Sequence, residues 1–200
     1  MCDAYILQYK DNYRRRTQAM FQRLRSRNNP QGNIRRLYGA IVAQARAPAF
    51  YTDYGVPDTI EGRFDMVVLH VYLVFRRLAQ AGEKTRALGQ ETFDLFIEDM
   101  DASMRELGVG DLSVPRKMRA MAESYYGRAG AYDAALADDH NGKLVAALAR
   151  NVFANHRSAE AGARRLAGYV RLAEHDLAGM NAGQLEEGAL AFPDPVEVPV

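Results

Sequence analysis

The 200-residue chain predicts an all-α protein, a single-domain bundle of about seven helices with short connections. Three observations carry this expectation. Apolar residues recur at spacings of three and four through most of the chain, the period of one helix face. No stretch alternates apolar and polar residues between turn signals, as a half-buried strand would. Pro, Gly, Asn and Asp fall in the gaps between periodic stretches, where helices stop and start. The composition, 48% hydrophobic and 26% charged, is that of a globular chain. A chain of this length holds a core without disulfide or metal. Cys2 is the one cysteine, which excludes an internal disulfide framework and a cysteine-ligated zinc or iron–sulfur site within one chain.

The elements follow in order. Residues 13–28 place Met20, Phe21 and Leu24 at helical spacing in a basic run. Asn29 as N-cap and Pro30 as first helical residue open a second helix, which carries Ile34, Leu37, Ile41 and Val42 to about Arg46. Ala47–Pro48 ends it, since the residue before proline resists helical angles. AFYTDYGVP, residues 49–57, reads as an aromatic loop. Asp58 and Glu61 fit a capping box for a helix to about Gln80, with Phe64, Val67, Val68, Val71, Phe75 and Leu78 on one stripe. Met66, Leu69 and Leu73 add a second stripe, so this helix is expected at the centre. Gly82 is its stop.

A fourth helix, about 85–107, presents Phe93, Phe96, Ile97, Met100, Met104 and Leu107 on one face. In the turn after it, Gly108 supplies a left-handed C-cap, Ser113 an N-cap and Pro115 the first turn of the next helix. That fifth helix spans about 114–137, a sixth about 140–155, and a seventh, capped by Ser158, about 159–178. Three segments result: a basic N-terminal arm and helix at 1–29, a helical domain at 30–178, and a flexible, acidic, proline-containing tail at 179–200.

Charge is divided unevenly. Residues 1–46 carry ten Lys and Arg against Asp3 and Asp11, while the remainder is net acidic. Arg14, Arg15, Arg16, Arg23 and Arg27 therefore mark a candidate surface for anionic lipid or RNA. The alternative is that this basic segment pairs with the acidic body. The longest apolar run, Met66–Phe75, has ten residues, about half of what a membrane helix needs. No secretory signal is read, so a reducing, cytoplasmic setting is expected.

Motifs for chemistry are sparse. The four histidines, His70, His140, His156 and His175, have no second histidine three or four residues away, and neither HExxH nor Glu-x-x-His occurs. Glu98, Asp99 and Asp101 do not share a helical face and read as a solvated acidic surface. Nucleotide-binding glycine motifs and the nucleophile-elbow pattern are also missing. His70 lies in an apolar stripe and reads as a hydrogen-bonded core histidine, with a proton carrier or haem ligand as the alternative. Catalytic residues, metal and cofactor are accordingly not expected. Met100, Met104, Met118 and Met121 flank the fourth-to-fifth turn, either filling gaps in the core or meeting an irregular apolar partner.

Two long blocks carry a family resemblance. YGVPDTIEGRFDMVVLHVYLVFRRL (54–78) and FDLFIEDMDASMRELGVGDLSVPRKMRAMAESYYGRAGAYDAAL (93–136) closely resemble the ubiquinol–cytochrome c chaperone family. The resemblance covers about residues 30–175. It implies a non-enzymatic role in assembling the cytochrome bc1 complex, respiratory complex III, with cytochrome b as client. For mitochondrial members it further implies a small helical partner protein and the ribosome. The chain looks like the compact bacterial form, with peripheral contact at the inner membrane face as a further expectation and no specific DNA binding. The rival from another class is an RNA- or ribosome-binding module acting through the basic helix. Client contacts are expected at the aromatic loop and fifth helix, at Phe50, Tyr51, Tyr54, Tyr125 and Tyr126, because aromatic residues and Met are enriched at interfaces.

Reversing the charge of Arg14, Arg15, Arg16, Arg23 and Arg27 should weaken binding to anionic vesicles or ribosomes and leave the circular-dichroism melting curve in place, each cation near an anionic membrane contributing about 1 kcal/mol.

Overall fold

A computed structural model describes residues 30–154 and 159–198. Every regular element among them is helical: α1 (Pro30–Ala45), α2 (Ala49–Thr52), α3 (Ile60–Gln80), α4 (Glu83–Glu106), α5 (Val114–Leu136), α6 (Gly142–Asn151), α7 (Ala159–Gly179) and α8 (Ala182–Glu186). Six run ten residues or more; α2 and α8 are single turns. The basic arm expected at 1–29, the Asn29 cap and the Ser158 cap lie outside the described residues.

Helix α3 is the centre, as its two apolar stripes require. Eleven of its 21 residues are buried, including an unbroken run from Met66 to Val74. It packs against α4 on one side and α7 on another, while α5 and α6 lie together and α6 rests on α7. On α1, Ile34, Leu37, Ile41 and Ala45 form the buried stripe. Their spacing of three and four is the period that predicted it.

The entry to α3 differs from the expected capping box. Thr59 is the N-cap, its Oγ1 accepting the Gly62 N–H at 3.1 Å, whereas Asp58 turns outward to pair with Arg63 at 2.6 Å. Arg63 engages the Asp58 carboxylate, and the hydroxyl one residue on meets the helix end. Pro57 folds back so closely that a Cβ on Gly62 would lie 2.0 Å from its carbonyl oxygen. The other caps are mixed. Gly108 takes φ +79° at the end of α4, the left-handed angle expected of it. Ser113 precedes α5 but makes no capping bond, and the Val114 N–H bonds instead to the Gly110 carbonyl at 3.3 Å.

Burial along α4 also departs from expectation. Phe96 is buried, Phe93, Ile97, Met100 and Met104 are half-buried, and Leu107 stands in solvent. The apolar face outruns the body it packs on. Helix α6 is shorter than expected, ending at Asn151, although Val152 and Phe153 beyond it are still buried.

The largest correction concerns the C-terminal segment, expected as a flexible tail from residue 179. Asn181 and Gln184 form a reciprocal capping box for α8, and Leu185 is fully buried. The chain then follows α1. Asn33 Nδ2 donates to the Glu186 carbonyl at 2.8 Å and Gln44 Nε2 to the Pro193 carbonyl at 3.0 Å. Tyr54 Oη donates to the Pro195 carbonyl at 2.7 Å, and Val198 is buried. Helix α8 lies inside the segment expected to be without helix, and only beyond it, where the prolines fall, is the chain non-helical. Its carbonyls are answered by side-chain donors on the body, which makes it an extended strap.

The connections after α2 and α6 lie close on α7 at Gly162, where a Cβ would fall 2.3 Å from the Tyr54 carbonyl oxygen and 2.8 Å from the Phe153 ring. Gly162→Ala should destabilise the fold by about 1–3 kcal/mol in urea unfolding, the cost of overpacking. Leu112→Ala, at a solvent-exposed turn, should stay within about 0.5 kcal/mol of the parent.

Candidate functional site

The polar centre of the molecule is His70, fully buried in the middle of α3. Its Nδ1 lies 2.8 Å from the Met66 carbonyl, one helical turn back. A carbonyl only accepts, so Nδ1 carries the hydrogen and Nε2 is the bare acceptor. The Tyr169 hydroxyl of α7 donates to that Nε2 at 2.9 Å. Gln44 Nε2 of α1 donates to the Tyr169 oxygen at 3.0 Å and to the Pro193 carbonyl of the strap. Four parts of the chain meet in one relay in which His70, Tyr169 and Gln44 are all engaged.

Aromatic rings enclose the relay. Phe50 meets Tyr169 edge-on at 4.8 Å between centroids and His70 at 5.5 Å, while Phe192 of the strap meets His70 at 5.4 Å. Tyr54 packs on Phe50 at 5.3 Å, and the Arg165 guanidinium lies over the Tyr54 ring at 4.4 Å. Burial alone pushes the His70 imidazole down to about 4, against a small opposing effect from the Met66 carbonyl. Burial likewise holds the Tyr169 hydroxyl above its ordinary range. The imidazole is therefore neutral, and both of its nitrogens are occupied. This arrangement holds segments together and has no lone pair left for a haem iron or a substrate proton, so of the two readings of His70 it is the core one that fits.

Ion pairs join the helices around this centre. Asp65 of α3 and Arg128 of α5 form a pair shielded from water, in which burial raises the Asp65 carboxyl and Arg128 opposes the shift. Arg76 bridges Asp133 at 3.1 Å and Glu174 at 3.0 Å, and Tyr72 donates to the same Asp133 at 2.8 Å. Arg171 of α7 caps the end of α5 by donating to the carbonyls of Leu136, Ala135 and Asp138. Asp99, read as solvated, also accepts from the buried Tyr38 hydroxyl at 2.7 Å.

The five expected client-facing rings divide. Phe50 and Tyr54 belong to the core, because α2 turns them inward against His70 and Tyr169, and Tyr125 is buried against Phe93. The expectation that these three rings are exposed is corrected on that ground. Tyr51 is half-buried, its hydroxyl donating to the Ala45 carbonyl at 2.9 Å, and Tyr126 is 44% exposed. Of the four methionines flanking the α4–α5 turn, Met121 is buried and Met100, Met104 and Met118 are half-buried. Arg14, Arg15, Arg16, Arg23, Arg27 and His156 lie outside the described residues. His140 and His175 are exposed. Among the described residues no three of His, Cys, Asp or Glu gather as a metal ion requires, and no helix is long and apolar enough to cross a membrane.

Sequence reasoning passed over Gln44, Tyr169, Phe192 and Arg165. The available signal was that Gln44 stands in an otherwise apolar segment and that Tyr169 occupies the buried stripe of α7, where a hydroxyl needs a partner. It also passed over Leu112, which is 99% exposed in a structured turn.

Comparison with known proteins places this body. Residues 52–192 match the family model described as ubiquinol-cytochrome C chaperone. A crystal structure of the Cbp3 homolog from Brucella abortus superposes with a TM-score of 0.79 at 35% identity, covering 97% of this chain and 99% of that one. Ubiquinol-cytochrome c reductase complex assembly factor 1 of Mus musculus is 27% identical over 150 residues, covering 75% of this chain and 50% of that protein. The Homo sapiens protein of the same name gives the same identity and coverage, and the Xenopus laevis one is 26% identical over 118 residues, 59% of this chain and 58% of that protein. The chain spans about half the length of these relatives.

The His70 relay sets a pH dependence. The folded histidine binds its proton near pH 4 and the unfolded one near 6.5, so between those values the unfolded state holds more protons. Stability is fully present above pH 6.5 and falls as pH drops toward 4. From pH 7 to pH 5 the loss due to His70 should be about 2 kcal/mol. Urea unfolding of the parent and of His70→Gln at both pH values checks this: the variant is less stable at pH 7, and its pH dependence is flatter by that amount.

Proposed function

Because the chain belongs to the ubiquinol–cytochrome c chaperone family, we propose that it is a non-enzymatic assembly chaperone for ubiquinol–cytochrome c reductase and that its client is cytochrome b. The carrying observation is the extent of the family match, from the end of α2 through the helices to Phe192 on the strap. The match takes in His70, Tyr169 and Phe192, while Gln44, Phe50 and Pro193 lie just outside it. The solved bacterial relative extends the likeness over nearly the full length of both chains.

The geometry supports the same reading. Its most chemically capable residues, His70, Tyr169 and Gln44, are taken up in holding the helices, so function falls to the surface. An assembly factor needs a surface that shields apolar segments of an incomplete subunit, and aromatic side chains do this at low entropic cost. Of the five expected rings, Tyr126 on α5 is the exposed one and Tyr51 lies at a partly open edge. We assign the client contact to these two, with Phe50, Tyr54 and Tyr125 supporting the surface from within.

Deleting the gene in cells that make the complex should lower assembled ubiquinol–cytochrome c reductase while cytochrome b synthesis continues, read by native gel and pulse labelling. A normal level of assembled complex would overturn the assignment. Photo-crosslinkers in place of Tyr126 and Tyr51 should trap cytochrome b. Crosslinks confined to the first 29 residues or to the strap would place the client elsewhere.

A further inference from the structure

The turn between α4 and α5 does not look like an ordinary loop. It reads Leu-Gly-Val-Gly-Asp-Leu over residues 107–112, with Leu112 99% and Leu107 63% exposed and Val109 half-buried between them. A leucine left wholly in water gains nothing from folding. Half-buried Met104 and Met118 lie in the helical turns beside it.

The turn is also built to hold its shape. The Val109 N–H bonds to the Met104 carbonyl at 3.0 Å, Gly108 to Arg105 at 2.9 Å and Ser113 to Gly110 at 2.8 Å. The left-handed Gly108 sets the reversal. Arg105 clamps both Asp101, at 2.7 Å, and Asp111, thereby offsetting the acids nearest the tip. Just beyond, in the first turns of α5, Arg116, Lys117 and Arg119 are exposed and form no ion pair among the described residues. Glu106 and Glu123, both exposed, are the acids left on either side of these three in the sequence, so the cations keep an excess of one.

We propose that this tip is a membrane-contact point: Leu107 and Leu112 enter the headgroup–acyl boundary of an anionic bilayer, and Arg116, Lys117 and Arg119 engage its headgroups. Two features favour lipid over a protein groove. A stable protein interface buries about 800 Å² on each partner, far more than two leucines on a turn present. A side chain standing free on all sides is satisfied by a medium that surrounds it, which a bilayer supplies and a groove does not. Apolar residues beside clustered cations are the combination that anchors proteins in the interface. Each inserted leucine should tighten binding about tenfold, and each cation about fivefold on an anionic surface. The rigid turn limits the ordering cost. This contact requires neither cytochrome b nor the assembled complex, so it stands apart from the client assignment.

The test uses the full chain with Cys2→Ser and Leu112→Cys, the new thiol carrying an environment-sensitive fluorophore. Vesicles are phosphatidylcholine alone or phosphatidylcholine with about one-third phosphatidylglycerol, an anionic surface on which cations bind. The expected result is a blue shift and brighter emission on the anionic vesicles, weakening with salt. Leu107→Glu with Leu112→Glu should lower vesicle partitioning by about a hundredfold without moving the thermal transition, since neither leucine is part of the core. Arg116→Glu, Lys117→Glu and Arg119→Glu together should lower it on anionic vesicles. A probe that stays in water while the chain is vesicle-bound would overturn the proposal, because other residues would then be the anchor. So would failure to bind either vesicle, or a shift produced by a protein partner and not by lipid.

Discussion

A buried hydrogen-bonding group must find a partner, and in this protein that requirement centres on one imidazole. His70 sits where an aliphatic side chain would pack without further demands, and placing it there obliges α7 to bring a hydroxyl to it and α1 an amide to that hydroxyl. Leaving either unanswered would cost about 1–3 kcal/mol, a large share of the net stability of a domain this size. The relay therefore specifies the arrangement of α1, α3, α7 and the strap more narrowly than apolar packing alone would. The rings of Phe50, Tyr54 and Phe192 are drawn inward by the same arrangement, since they complete the dry shell around it.

The helices were legible because each has its own periodicity. Ile34, Leu37 and Ile41 on α1, and the double stripe of α3, say which face is buried without reference to any other element. What was not legible depends on partners distant in sequence. The strap reads as disordered because its information lies in Asn33, Gln44 and Tyr54, up to 153 residues away, and these donors address its backbone carbonyls, not its side chains. The aromatic loop misled for a related reason. Phe50 and Tyr54 are apolar in a segment with turn residues, which is equally what a surface loop and a short inward-facing helix contain. Asp58 and Thr59 are adjacent residues of capping type, and the residue types alone do not say which takes the cap and which the Arg63 pair.

Structure and function divide the chain between them. The interior resembles a catalytic site in composition, with His, Tyr and Gln in line, yet each is spent on cohesion. The α4–α5 hairpin is the opposite case. Of the 24 residues in α4 the buried ones are Thr85, Thr92 and Phe96, so it packs on α3 along one side and leaves its last turns at the surface. Half-buried Met100 and Met104 on α4 and Met118 on α5 put adaptable side chains at the edge of the body there.

The relay also has a consequence for the order in which the molecule forms. Its members stand at positions 44, 70, 169 and 193, so completing it requires loops of 99 and 149 residues to close. Such closures cost entropy before any contact repays it, and they come late. The turn joining α4 to α5 closes over a handful of residues and needs no distant segment. The part of the chain that faces outward can thus assemble while the centre is still open, and the seal over His70 is among the last contacts to be made.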